Sequence, residues 1–216
     1  MACQVAQPST ANKRQYQSRK RAEDAAATRR RITEAAVELH GLVGPAHTTI
    51  SGIARRAGVT RVTVYKHFPT IEELFGACSA HWLSVHPWPD VRSWEAIAGA
   101  DERLVQALNE LYGFFRTNEA MVSNLHRDLE TLPAPNQERL RARPAVMAAA
   151  LMKGRRLRGR SRRMTLVLLT HAVEFETWRS LGGHGLSDGE CVEMFRRAVS
   201  ALATGEQQRS KSPVKG

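Results

Sequence analysis

The sequence predicts an all-α fold, with a small N-terminal unit of three helices joined to a larger C-terminal helical bundle. Three observations predict it. Apolar residues recur at three- and four-residue spacing along most of the 216 residues, the signature of helices with one buried face. Side chains with capping chemistry stand just ahead of several of these runs. No segment alternates apolar and polar residues with the period of two that a half-buried strand requires.

The elements follow in order. Residues 1–23 are polar, carry Lys13, Arg14, Arg19, Lys20 and Arg21, and have no apolar periodicity, so they read as a disordered basic arm. A compact domain is expected over 24–85. From about Ala25, Ile32, Ala35, Ala36, Leu39 and Val43 mark one face of a helix, which Gly41 and Gly44-Pro45 end. Thr48-Thr49 offers an N-cap for a short helix through Ala57, with Ile50, Ile53, Ala54 and Ala57 on one face. Gly58 stands just past that helix, where a positive φ is usually needed. Thr60 caps a third helix to about Phe68, and Thr70-Ile71-Glu72-Glu73 is a capping box opening a fourth.

His86-Pro87-Trp88-Pro89 is a rigid break and the expected domain boundary. A second helical domain is expected over 86–204. Leu104, Val105, Leu108, Leu111, Tyr112 and Phe115 mark one helix, and Met121, Val122, Leu125 and Leu129 another. Pro133 and Pro135 separate these from an Ala- and Arg-rich helix over about 137–157. A strongly apolar helix is expected from Met164 to Leu181, followed by the loop Gly182–Gly185. Ser187-Asp188-Gly189-Glu190 is a second capping box, opening a last helix with Val192, Phe195, Val199 and Leu202 on one stripe. Residues 205–216 read as a disordered tail.

Composition limits the function. A net charge of +11 and a pI near 10.4 suit a polyanionic partner, nucleic acid or an anionic membrane surface; a solubility device or a codon bias toward Arg and Ala is the plainer alternative. No stretch reaches the ~18 consecutive apolar residues of a membrane span, and the N-terminus lacks an apolar run of signal-peptide length. Cys3, Cys78 and Cys191 are odd in number, far apart and without a CxxC pair. That usage fits a reducing cytoplasm and speaks against a disulfide framework or a zinc module.

Where the charge sits is more informative. Thr48 to Phe68, TTISGIARRAGVTRVTVYKHF, places two short helices around a Gly-containing turn, the geometry of a helix-turn-helix whose second helix enters the major groove. Ala54 and Ala57 allow close helix approach, and Val59, Val64 and Phe68 are expected to be buried. Thr60, Arg61, Thr63, Lys66 and His67 make up the alternate face. Between Glu38 and Glu72 there is no acidic residue, while Arg55, Arg56, Arg61 and Lys66 are all present. A surface held against phosphates has no place for carboxylates, which would repel the backbone.

The run IARRAGVTRVTVYKHFPTIEELF resembles the DNA-binding domain of TetR-type regulators, in which a helix-turn-helix ends in Tyr-x-His-Phe followed by a capping box. The likeness is close over roughly residues 25–75. It implies a homodimer whose C-terminal domain supplies the dimer interface and a pocket for a small effector, and whose operator is released when the effector binds. Carried over by position, Arg61, Val62 and Thr63 fall where the family reads base edges. Arg61 would reach guanine O6 and N7, and Val62 or Thr63 a thymine methyl. Thr49, Ser51, Tyr65, Lys66 and His67 match phosphate-contacting positions, with Thr60 at the start of the reading helix. Ile71 departs from the lysine the family often has there. The basic arm is expected to compensate by following the backbone or entering a minor groove.

Residues 141–163 hold nine basic residues and no acidic one. They read either as a solvated loop between helices or as a second anion-binding surface. The eight histidines show no HExxH or paired Cys/His spacing, so no metal is expected. No G-x-S-x-G, P-loop or dinucleotide fingerprint occurs, so neither a cofactor nor enzymatic chemistry is expected. Trp82, Phe114, Phe115, Met121, Leu125, His171, Phe175 and Trp178 are candidates for an effector pocket, and equally for plain core. The segments 164–181 and 188–203 are the candidate dimer interface, a four-helix arrangement about a two-fold axis. Two other readings stay open: an architectural nucleic-acid-binding protein without ligand control, and a small-molecule enzyme or carrier with an incidental basic surface.

Overall fold

The structure, a computed structural model, describes the backbone of residues 10–211 and the side chains of residues 14–203. Among the described residues all regular structure is helical, as the sequence predicts: eleven α-helices with two short 3-10 turns. The chain divides into two compact units, residues 1–85 and 86–216.

The first unit holds α1 (Thr10–Leu42), α2 (Ile50–Ala57), α3 (Arg61–His67) and α4 (Ile71–Val85). α1 packs on α2 and α4, and α2 on α3. The core joins Ile32 and Ala36 of α1 to Ile53 and Ala54 of α2, Val64 of α3, and Leu74 and Cys78 of α4. Alanines at the crossing let the backbones approach, and the larger side chains fill the space around them. Burial pushes the Cys78 thiol up to about 12, so it is a core residue without thiolate reactivity.

Residues 10–23, expected to be a disordered arm, are instead the first turns of α1. Arg, Lys, Gln and Ala favour the helix intrinsically, and Arg19 pairs with Glu23 at 2.9 Å across one turn. Every described side chain from 14 to 26 is exposed. A helix with no face to bury leaves no apolar periodicity in its sequence. Residues 1–9 of that expected arm lie outside the described residues.

The second unit holds α5 (Val91–Glu95), α6 (Ala100–Thr117), α7 (Glu119–Arg127), α8 (Ala134–Met152), α9 (Gly159–Ala172), α10 (Phe175–Gly183) and α11 (Asp188–Lys211). α6 is its centre: Leu104, Leu108, Leu111, Tyr112 and Phe115 are buried, and α5, α7, α8 and α11 pack around them. The short α5, absent from the sequence reading, is capped by Asp90 and held by a fully buried Trp94 whose Nε1 donates to Glu110 at 2.7 Å.

Three boundaries differ from expectation. α8 begins at 134 and stops at 152, because a proline in the first turn needs no N–H partner. At the other end Gly154 takes φ +80°. The buried Arg103 guanidinium closes that end, donating to the carbonyls of Ile97, Ala150 and Lys153. The apolar run 164–181 is two helices, parted at Val173-Glu174 beside the point where the Tyr112 hydroxyl donates to the Ala172 carbonyl at 2.8 Å. Core-facing residues continue through the break, so the pattern does not reveal it. The last helix runs through 211 where a disordered tail was expected from 205; residues 212–216 lie outside the described residues. Its start is a reciprocal capping box: Ser187 Oγ accepts from the Glu190 N–H, and Glu190 accepts from the Ser187 N–H at 2.8 Å.

Candidate nucleic-acid interface

The site is built from caps outward. Thr49 ends the extended approach to α2 and accepts from the Gly52 N–H at 3.0 Å. Gly58 adopts φ 66° and ψ 38°, the left-handed C-cap that reverses the chain between α2 and α3. Thr60 then accepts from the Thr63 N–H at 3.1 Å and starts α3. A hydroxyl that accepts a helix N–H still has its own proton to donate. Thr49 is therefore free to donate to an anion, whereas the Thr60 and Thr63 hydroxyls are already 2.9 Å apart.

Val64 points α3 into the core, and this fixes which side is presented. Arg61, Val62, Tyr65 and Lys66 are exposed together, as positions i, i+1, i+4 and i+5 span about 140° of a helix. Val62 is 77% exposed. Thr63 and His67 are half-buried at the margin of that face, and Thr49, Ser51 and Thr60 are exposed beside it. The structure thus brings all nine candidate positions to the surface of α2, the turn and α3. Ile71, at 53% exposure, opens α4.

The charge around them is less uniform than the sequence suggests. Arg56 is taken by Glu38 of α1, with its Nε 2.7 Å from the carboxylate. Arg55, Arg61 and Lys66 form no ion pair among the described residues. Arg29 of α1, not singled out from the sequence, donates to the His67 carbonyl and lies 3.9 Å above the Phe68 ring. It caps the C-terminal end of α3, where the carbonyls lack helical partners and a cation is favoured. Thirty-eight residues separate the pair, so no local pattern could have revealed it.

The effector-pocket candidates do not form one group. Trp82 lies half-buried on α4, in the first unit. In the second unit Phe115, Phe175 and Trp178 pack against one another, with ring centroids 5.3 to 5.7 Å apart, and Phe114 adjoins Phe115 at 6.3 Å. They are filled core, with Phe115 and Phe175 almost wholly buried. Met121 and Leu125 are half-buried on α7, and His171 is exposed, its Nδ1 2.9 Å from Glu174. Concavities of this unit have other walls. One of about 290 Å³ is lined by His126, Leu140, Pro144 and Glu176, and one of about 730 Å³ by Trp88, Arg139 and Arg143 with their neighbours. Among the described residues no three His, Cys, Asp or Glu side chains gather as metal ligands, and no helix is long and apolar enough to cross a membrane.

Comparison with known proteins agrees with this geometry. Residues 32–78 match the profile of bacterial regulatory proteins of the tetR family. Over 89 residues the chain is 43% identical to the HTH-type transcriptional regulator SrpR of Pseudomonas putida, and equally to the uncharacterized HTH-type transcriptional regulator TtgW of the same species. Each alignment covers 38% of this chain, and spans 42% of SrpR and 66% of TtgW, less than two thirds of either. The fold resembles that of a Clostridium perfringens protein described as a fatty acid metabolism regulator, with TM-score 0.55 at 17% identity, over 78% of this chain and 96% of that one. Through the helices that build this interface, the chain is similar to the tetR family of bacterial regulatory proteins.

Proposed function

We propose that the protein is a sequence-specific, double-stranded-DNA-binding transcription regulator that works in the cytoplasm as a homodimer and releases its operator when a small effector binds. It is not an enzyme on this reading. The observation that carries it is the outer side of α3. An exposed Val62 stands between Arg61 and Lys66, neither in an ion pair among the described residues, on a stretch with no carboxylate from residue 39 to 71. Apolar and cationic groups presented together on a short capped helix suit a groove that offers thymine methyls, guanine acceptors and flanking phosphates.

Dimerisation through 164–181 and 188–203 is supported by apolar side chains left at the surface: Met164 and Val167 on α9, at 40% and 52% exposure, and Met194 on α11 at 38%. A two-fold dimer would set its two α3 helices in successive major grooves, ~34–36 Å apart, on a pseudo-palindromic operator. The exposed cations of the α1 extension, Arg14, Lys20 and Arg21, would lie along the phosphate backbone as a helix, not as a loose arm.

Titrating the full chain on its own upstream DNA and on a scrambled duplex at several salt concentrations tests this. The regulator reading expects tighter binding to the upstream DNA and a steep salt dependence on both duplexes. Equal, salt-steep affinity for both would mark an architectural protein, and weak, salt-insensitive association an enzyme or carrier.

A further inference from the structure

The groove of about 730 Å³ in the second unit lies between the 88–95 segment and one face of α8. On α8 the lining positions 139, 142, 143, 146 and 147 form one helical stripe. Two of them, Arg139 and Arg143, are like charges one turn apart, an arrangement that destabilises a helix unless something offsets it. Arg92 adds a third guanidinium from the opposite wall.

Arg143 is the unusual member. Its guanidinium lies 3.7 Å from the Trp88 ring centroid, and its Nη1 is shut off from solvent with no hydrogen-bond acceptor among the described residues. Burial, reinforced by Arg139, pushes the group down to about 10, yet it remains a cation at neutral pH. Two acids also line the groove, and both are committed. Asp90 accepts from the Arg92 backbone N–H at 2.9 Å, and Glu95 pairs with Lys153 at 3.0 Å. No carboxylate pairs with Arg92, Arg139 or Arg143 among the described residues. The rest of the wall is apolar, from Trp88, Val91, Val146 and Met147.

We propose that this groove binds a carboxylate-headed ligand with an apolar body, the head on Arg139 and Arg143 and the body along Trp88, Val91 and Val146. The volume lies within the ~300–1,000 Å³ usual for small-molecule sites. Arginine is suited to the head because its fork of donors matches a carboxylate two bonds at a time. A buried cation lacking an anion is costly to keep, and a ligand carboxylate removes that cost. The proposal deepens the ligand-responsive reading by naming the effector's chemistry, and rests on that reading only for its consequence at the DNA.

Calorimetric titration of the full chain with decanoate, decanol and decylammonium tests it, at concentrations below micelle formation. Decanoate is expected to bind at least tenfold more tightly than decanol, and decylammonium not at all. Arg143→Gln should weaken decanoate at least tenfold and leave decanol unchanged. The exposed Arg139→Gln, which does not threaten folding, should weaken decanoate severalfold. Equal affinity for decanoate and decanol, no decanoate binding, or decanoate binding indifferent to both substitutions would overturn the site. Decanoate binding that leaves operator affinity untouched would keep the site and remove ligand-released repression.

Discussion

Two stretches of this chain, 39–71 and 141–163, are both basic and both free of acidic residues, and in each the fold neutralises a different part of the charge. In the first, one of the four cations between Thr48 and Phe68 is neutralised, Arg56 by Glu38, while Arg55 of α2 and Arg61 and Lys66 of α3 form no ion pair among the described residues. In the second, three of the nine cations meet carboxylates from outside the stretch, and Arg156, Arg160, Arg162 and Arg163 stay exposed with no ion pair among the described residues. Arg141 meets Glu130, Lys153 meets Glu95, and Arg155 meets Asp101 at 2.8 Å, while Arg143 lies on Trp88. A charge run in sequence records which acids are neighbours along the chain. The surface potential depends on which are neighbours in space.

Unfolding of the first unit would mimic lost DNA contacts, and His40 sets its pH dependence. His40 is buried beside Phe75, with ring centroids 5.4 Å apart, and burial holds it down to about 4. Between its ordinary 6.5 and about 4 it is protonated when unfolded and neutral when folded. Stability therefore falls as pH drops through that window and levels off below it. The loss approaches ~3 kcal/mol at the acid end. Chemical denaturation followed from pH 7 to pH 4 should show it, and His40→Leu should flatten the profile.

Arg155 tests the structural role of the second stretch. Its side chain is 7% exposed, pairs with Asp101 and donates to the Ala100 and Leu151 carbonyls. Arg155→Ala should cost about 2–3 kcal/mol of stability, because it strands those acceptors. Urea denaturation checks it, and an unchanged midpoint would show that the pair is idle. Arg61→Ala sharpens the first stretch. It should remove discrimination at one base pair, worth ~1–3 kcal/mol, measured as a ratio of affinities over single-base operator variants. Smallest is Arg56→Ala. Already paired on the surface, Arg56 should shift stability by under ~1 kcal/mol and leave DNA discrimination intact.

Much of this was legible in the sequence because it is written locally. Thr49, Gly58, Thr60 and Ser187 carry capping chemistry that acts within a few residues, so three helix starts and the end of α2 follow from them directly. The exposed face of α3 follows from Val64 by helical geometry alone. What was missed depends on distant partners or on missing contrast. The Arg29 cap of α3 and the Arg103 clamp on α8 each join residues 38 to 50 apart. The described side chains of the first turns of α1, from 14 to 26, are all exposed, so they leave no pattern. The α9–α10 break lies where buried residues, Ala172, Val173 and Phe175, continue straight through it. The aromatic candidates illustrate a different limit: spacing identifies buried residues, but packing decides between a wall and a filled core.

On the proposed reading, DNA is held by Arg61 and Lys66 of α3, which form no ion pair among the described residues, and not by the second basic stretch. The slope of log affinity against log salt, measured on the upstream duplex, tests it most directly. Lys66→Ala should reduce its magnitude by about 1, and the double variant Arg160→Ala with Arg163→Ala should leave it unchanged. A slope that ignores Lys66 and flattens with the Arg160 and Arg163 pair would move the DNA contacts from α3 to the second stretch.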